Sequence, residues 1–325
     1  MLGIAVALFA VAVSLLNASW LAPNPRGKLM LVAHRGVAQQ FSREGIGEEA
    51  CTAARSLPSG HHYIENTVRS IERAMLLGAD AIELDVQPTK DGRMVVFHDA
   101  TLECRTNGAG PVRDHTLAEL KALDIGHGYT ADGGETFPLR GRGVGAMPTV
   151  EEVLERLPRV PFIFHLKTRE EGDADLLLAA FARAGIPFGG HYAFYGNPAM
   201  VRRIEEKTPD AWTFSKQAAR RCLLDYLRVG WTGIVPHECR NATMVVPLNY
   251  QWAIWGWPNR FLDRMAKANT RVILMGDYKD GVPAGIERPE QLAEVPRSYR
   301  GYLWVEDIYT IGPALKQWTV GPRPR

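Results

Sequence analysis

Residues 81–86 read Ala-Ile-Glu-Leu-Asp-Val, an apolar run that carries two carboxylates, Glu83 and Asp85, one residue apart. Three other apolar runs carry polar residues at or near their ends: 29–33 leads into His34-Arg35, 94–97 into His98-Asp99, and 162–167 holds His165 and Lys167. Side chains alternate along a strand, so Glu83 and Asp85 share one face, and so do His165 and Lys167. Two carboxylates on one inward face repel each other and are costly to desolvate unless a cation lies between them. A hard divalent ion held by oxygen ligands is the simplest remedy. A structural ion pair with arginine or lysine would suffice for an isolated Glu-x-Asp, but four polar strand ends together weigh against it. Paired histidines beside such an ion suit proton transfer at a centre that gains negative charge.

The elements that must position these groups alternate along the chain. Strands are predicted at 29–34, 81–86, 94–99, 162–167, 192–196, 212–215, 252–255, 271–276 and 302–307. Helical spacing of apolar residues appears between several of them: Val68, Ile71 and Met75; Val150, Val153, Leu154 and Leu157; Phe261, Leu262, Met265 and Ala268. This alternation predicts a parallel α/β fold, and the number of strands fits a single-domain TIM (β/α)8 barrel over residues 28–325 better than an open sheet. Active sites of that fold lie at the C-terminal ends of the strands, where the polar residues cluster.

Composition excludes some partners. The formal net charge is only +2 over 325 residues, so nothing points to nucleic acid held by bulk electrostatics. Residues 1–22 carry no charged side chain, the first being Arg26, and a Pro/Gly break follows at Pro23, Pro25 and Gly27. Residues 1–25 therefore read as a signal peptide or a membrane anchor, with 1–22 the tether, and the domain as exported to the periplasm or the cell exterior. Four cysteines fit that compartment. The pairs Cys51–Cys104 and Cys222–Cys239 join neighbouring segments, and four reduced structural thiols are the competing reading.

His34-Arg35-Gly36, Glu65-Asn66-Thr67, the stretch 78–108 with Glu83-Leu84-Asp85 and His98-Asp99, and 147–154 (MPTVEEVL) closely resemble the glycerophosphodiester phosphodiesterase family. The clear resemblance covers residues 28–168, with looser likeness around 254–265 and 301–313. It implies a TIM barrel that hydrolyses glycerophosphodiesters to glycerol phosphate and an alcohol with bound calcium or magnesium. It also implies that His34 and His98 are the catalytic acid and base, that Glu83 and Asp85 are metal ligands, and that Arg35 and Lys167 hold the phosphate. The chemistry agrees, because a diester anion gains charge in the transition state and a guanidinium fork and a cation stabilise it.

Two departures stand out. The family reads Glu-Ile-Lys where this chain has His165-Leu166-Lys167, so one carboxylate ligand is missing. Either His165 coordinates through a ring nitrogen, which favours manganese, cobalt or zinc, or Glu65 or a water completes an oxygen shell, or the metal site is degenerate. The connection between His34 and Glu65 is also longer than the family's and is expected to lie over the site as a lid or selectivity element. Two other functions compete with the leading one: a phosphodiesterase of the same superfamily acting on phospholipid or sphingolipid head groups, and a non-catalytic barrel that binds phosphodiesters. The second has no need of two proton-transfer groups.

Overall fold

A computed structural model of the chain describes residues 2–46, 50–168, 170–279 and 282–320. The principal strands are β1 (Leu29–His34), β2 (Ala81–Pro88), β3 (Met94–Val96), β4 (Phe162–Leu166), β5 (Ala193–Gly196), β6 (Trp212–Ser215), β7 (Thr243–Pro247), β8 (Arg271–Met275) and β9 (Gly301–Val305). The helices are α1 (Leu2–Leu16), α2 (Val68–Leu76), α3 (Leu117–Lys121), α4 (Val150–Arg156), α5 (Asp173–Arg183), α6 (Pro198–Lys207), α7 (Lys216–Val229), α8 (Asn259–Lys267) and α9 (Ile308–Val320). These fall into two compact units, each assembled from separate stretches of sequence.

One unit comprises Ala33–Thr213 and Glu306–Gly312. Here β2, β4 and β5 run parallel, in a register that sets Asp85 beside His165 and His165 beside Tyr195. The end of β1 joins them, where the Arg35 N–H donates to the Glu83 carbonyl at 2.9 Å. Phe162, Phe164, Phe181 and Phe194 are fully buried against one another, each burial being worth about 1.5–3 kcal/mol. Thr67 with Ser70 and Thr149 with Glu152 form capping boxes that start α2 and α4, each cap contributing about 1 kcal/mol. A second apolar cluster, including Val95, Phe97, Leu102, Leu120 and Met147, lies around the segment that follows β3. The Cys51–Cys104 disulfide packs against it.

The other unit comprises Met1–Val32, Phe214–Val305 and Pro313–Arg325. Its strands β7, β8 and β9 are also parallel, with Val245 and Tyr302 both registered on Ile273. The Cys222–Cys239 disulfide ties α7 to the turn at 237–239. Tyr226, Phe261, Trp257 and Tyr299 pack as a chain of rings beneath. The end of α1 is held here by Arg264, which donates to the Leu16 carbonyl and to Asn17 Oδ1.

Two expectations from sequence need correction. The run 94–99 is not a barrel strand: β3 pairs antiparallel with β2, Val96 opposite Val86. Its connection to β2 is a short turn with Gly92 at φ 74°, and a parallel crossover needs about a dozen residues. The aromatic run 252–255 is not a strand, since residues 248–253 form a 3-10 helix. The strand of that region is β7, just before it, which the apolar pattern left unassigned. The N-terminal segment, which reads from sequence as a signal peptide or membrane anchor, carries α1. Its helix stops at Leu16, where the Asn17 side chain bonds back to the Val13 carbonyl. Its 15 residues reach only about 22 Å, against the roughly 30 Å of a bilayer core. Among the described residues no helix is long and apolar enough to cross a membrane.

Candidate active site

The parity argument places Glu83 and Asp85 on one face of β2, and the structure buries both, at 0% and 1% exposure. The β4 and β5 neighbours complete their surroundings. His165 Nδ1 lies 2.9 Å from Asp85 Oδ1, its ring stacks on that of Tyr195 with centroids 4.1 Å apart, and the Tyr195 hydroxyl donates to Glu83 Oε1 at 2.7 Å. Arg35 spans two carboxylates, with Nε 3.0 Å from Asp85 Oδ2 and Nη1 2.9 Å from Glu65 Oε1. Asn66 donates to Asp85 Oδ2. Arg35 and Asn66 both adopt positive φ, 61° and 58°, the kind of costly backbone that persists where surrounding structure requires it.

Each histidine has its own carboxylate. His34 Nδ1 meets Glu306 Oε1 at 2.9 Å, while its Nε2 stands 3.7 Å from Glu83 Oε2. Arg43, from the long connection after β1, holds the same Glu306 oxygen at 3.0 Å. His98 Nδ1 meets Asp99 Oδ1 at 2.5 Å, and its Nε2 faces Lys167 Nζ at 3.2 Å. An ammonium can only donate, so His98 carries its proton on Nδ1 and leaves a lone pair on Nε2. Lys167 also stands 4.0 Å from Asp85 Oδ1.

The charges set one another. Burial, then the Arg35 charge, lowers the His98 pKa to about 4. Burial opposes a charge on His34 as well, but Glu306 overrides it and raises that ring. Burial would push Asp85 up, yet the Arg35 and Lys167 charges and the hydrogen bond to His165 hold it well below the carboxylate range. Glu83 moves the other way, raised by burial and by the Asp85 charge beside it.

Glu83, Asp85 and His165 each offer a ligand atom, all within 4.8 Å of one another. Glu83 Oε2 is buried and accepts no hydrogen bond, and the two adjacent carboxylates call for positive charge. The residues therefore fit a divalent cation held by two carboxylates and one imidazole. Glu65 is placed elsewhere: Arg35 and Arg105 grip its Oε1, and it is not part of this three-residue set.

All eight residues singled out in the sequence lie in this one unit, and contacts link His34, Arg35, Glu65, Glu83, Asp85, His98, His165 and Lys167. Sequence reasoning missed Tyr195, Arg43 and Glu306. Glu306 ends an apolar run as the other site residues do, which was its available signal. The long connection after His34 does not hang free over its described length. It is pinned by Arg43 to Glu306, by Gln40 to the Glu306 carbonyl, and by the disulfide at Cys51; residues 47–49 lie outside the described residues. His61 bonds to Gln39 and packs on Tyr309, away from the three-residue ligand set.

The parallel strands and helices of this unit thus carry a buried, carboxylate-lined centre flanked by two histidines. Residues 34–177 match the glycerophosphoryl diester phosphodiesterase family. The chain is 46% identical over 105 residues to a glycerophosphodiester phosphodiesterase of Caldanaerobacter subterraneus subsp. tengcongensis, covering 32% of this chain and 40% of the relative. It is 47% identical over 95 residues to one of Bacillus subtilis, covering 28% and 31%. The matched stretches thus span less than half the length of these relatives. Among solved structures, the glycerophosphoryl diester phosphodiesterase domain of an uncharacterized Mycobacterium tuberculosis protein superposes with a TM-score of 0.64 at 19% identity, covering 90% of this chain and all of that one. An Oleispira antarctica phosphodiesterase, solved in complex with the product sn-glycerol-3-phosphate, superposes at 0.58 with 18% identity, covering 92% and 99%. These likenesses show the fold, an eight-stranded parallel barrel with helices.

Proposed function

We propose that the protein hydrolyses glycerophosphodiesters to glycerol phosphate and an alcohol, with His34 and His98 as the proton-transfer pair and a divalent cation held by Glu83, Asp85 and His165. The observation that carries this reading is the placement of both histidines, each backed by a carboxylate, around one buried acidic cluster. A bound cation would supply Lewis-acid stabilisation of the phosphoryl oxygens. The chain's own residues supply the rest. Arg35 and Lys167 provide the positive charges that bind and orient the diester anion. One histidine takes a proton from the attacking water and the other gives one to the leaving oxygen, and their carboxylate partners fix each ring's orientation. The cluster holds one carboxylate fewer than the family's ligand set, and the imidazole in its place supports manganese or zinc beside calcium and magnesium.

The test uses chelator-treated protein with glycerophosphocholine and glycerophosphoethanolamine, each metal added back separately, and release of glycerol phosphate as the readout. Turnover is expected with at least one metal. His34→Ala and His98→Ala are each expected to lose it by a factor of about 10² or more. Wild-type activity in either variant would remove that residue from the chemistry. Turnover of intact phospholipid in place of the small diesters would shift the substrate class to lipid head groups.

Two disulfides and an uncharged N-terminal segment support an exported location. In that reading residues 1–22 are an export leader or a membrane tether. Four free thiols in protein trapped directly from cells would overturn it.

A further inference from the structure

The most deeply buried arginine near the site has no part in the proposed reaction. Arg105 is 2% exposed, and a guanidinium so placed carries a desolvation penalty of several kcal/mol. Its partners form a chain that leads back to His98. Nε pairs with Asp99 Oδ2 at 3.3 Å, and Nη2 pairs with Glu65 Oε1 at 3.3 Å. Nη2 also donates to Thr52 Oγ1 at 2.7 Å. Asp99, gripped from behind in this way, presents its other oxygen to His98 Nδ1.

The backbone around Arg105 is fixed as firmly as its side chain. Cys104 precedes Arg105 and Cys51 precedes Thr52, and these cysteines are joined. The disulfide thus ties the two segments that supply Arg105 and its hydroxyl partner. Gly128 closes the other side: a Cβ there would come within 1.9 Å of the Cys104 carbonyl oxygen. Tyr129, the next residue, sets its ring 5.6 Å from the guanidinium.

We infer that Arg105 is a positioning residue for His98, acting through Asp99, and that the Cys51–Cys104 disulfide holds Arg105 in register for that task. Arg105 fixes Asp99, Asp99 keeps the His98 proton on Nδ1, and Nε2 is left as the nitrogen facing substrate. This rests on the reading of His98 as a proton-transfer group. Loss of the guanidinium frees the Asp99 carboxylate to turn, and the imidazole can then populate its other tautomer.

The test measures kcat and KM for glycerophosphocholine hydrolysis in the full chain. The variants are Arg105→Met, Arg105→Lys, the pair Cys51→Ala with Cys104→Ala, and Arg105→Met in a His98→Ala background. Ring-nitrogen NMR of His98 runs alongside, and it needs no turnover. Arg105→Met is expected to lower kcat roughly ten- to hundredfold with KM nearly unchanged, and Arg105→Lys to recover a large part of it. The disulfide pair is expected to fall between. In the His98→Ala background Arg105→Met should cost nothing further, whereas a merely structural role would cost the same there. The NMR spectrum should change from a single Nδ1–H tautomer to a mixture in Arg105→Met. If that variant does not fold, the disulfide pair takes its place in both measurements. Unchanged kcat in both, an equal loss without His98, or unchanged ring signals would overturn the inference. If wild-type protein hydrolyses no glycerophosphodiester while the ring signals change as expected, the proposed function fails and the positioning role stands.

Discussion

His98 is neutral in the folded protein because its surroundings, burial first and the Arg35 charge next, lower its pKa from 6.5 to about 4. In the unfolded chain the same ring takes up a proton near pH 6.5. Between those values the unfolded state binds a proton that the folded state does not, so stability rises with pH and is lost as pH falls. The lowering corresponds to about 3 kcal/mol, of which about 2 kcal/mol is lost by about pH 5. That is a large share of the roughly 5–15 kcal/mol that holds a typical domain folded. His34 works in the opposite sense: its raised pKa contributes stability that is full below about pH 6.5 and fades as pH rises through the folded value. A variant is therefore needed to isolate His98. His98→Asn keeps an amide nitrogen near Asp99 and removes the titration. Urea unfolding of both proteins in chelator, at about pH 7.5 and about pH 5, gives the double difference. The wild type should lose about 2 kcal/mol more than His98→Asn over that interval. Equal losses would refute the claim that His98 is held neutral by its surroundings.

Other outcomes follow from the same geometry. Glu306→Gln should lower kcat roughly ten- to hundredfold with little change in unfolding midpoint beyond the loss of the Arg43 and His34 pairs. An unaltered kcat would show that His34 needs no carboxylate partner. His165→Glu should move the metal preference of the chelator-treated protein toward calcium, read by calorimetric titration as well as turnover, and no change would place His165 outside the ligand set. The Cys222–Cys239 bridge closes a separation of 17 residues, so replacing both cysteines with alanine should cost about 3 kcal/mol of stability. Because that bridge lies in the unit without the site residues, turnover per folded molecule should be unchanged; a fall in kcat would contradict this.

The site was legible in the sequence where its signal was local. Glu83 and Asp85 announce themselves because a charge at i and i+2 inside a strand can only be an intended feature of one face, and the buried carboxylates on β2 bear this out. The caps of α2 and α4 were equally readable from Thr67 and Thr149 followed by polar side chains three residues on. What escaped depends on partners far apart in sequence. Nothing near Tyr195 indicates that its hydroxyl serves Glu83, 112 residues away. At 252–255 the aromatic and β-branched content suggests a strand, but that preference depends on a pleated, half-buried setting. Trp252 is 80% exposed on a 3-10 turn. At 94–99 the composition suits a strand, and the short turn before it dictates antiparallel pairing with β2.

The His34–Glu306 pair joins positions 272 residues apart, and this has a bearing on how the protein is made. Translation proceeds at about 5–20 residues per second, so His34 waits on the order of tens of seconds before its carboxylate exists. Until then the chain holds the acidic pair and the second histidine without the group that orients the first. Closing so long a loop is entropically costly, though the cost grows only logarithmically with length, and contacts this distant are among the last a chain can form. A nascent or truncated chain lacking the β9 end would therefore be incomplete at its centre, so that catalytic competence would come only once nearly the whole barrel sequence has been made.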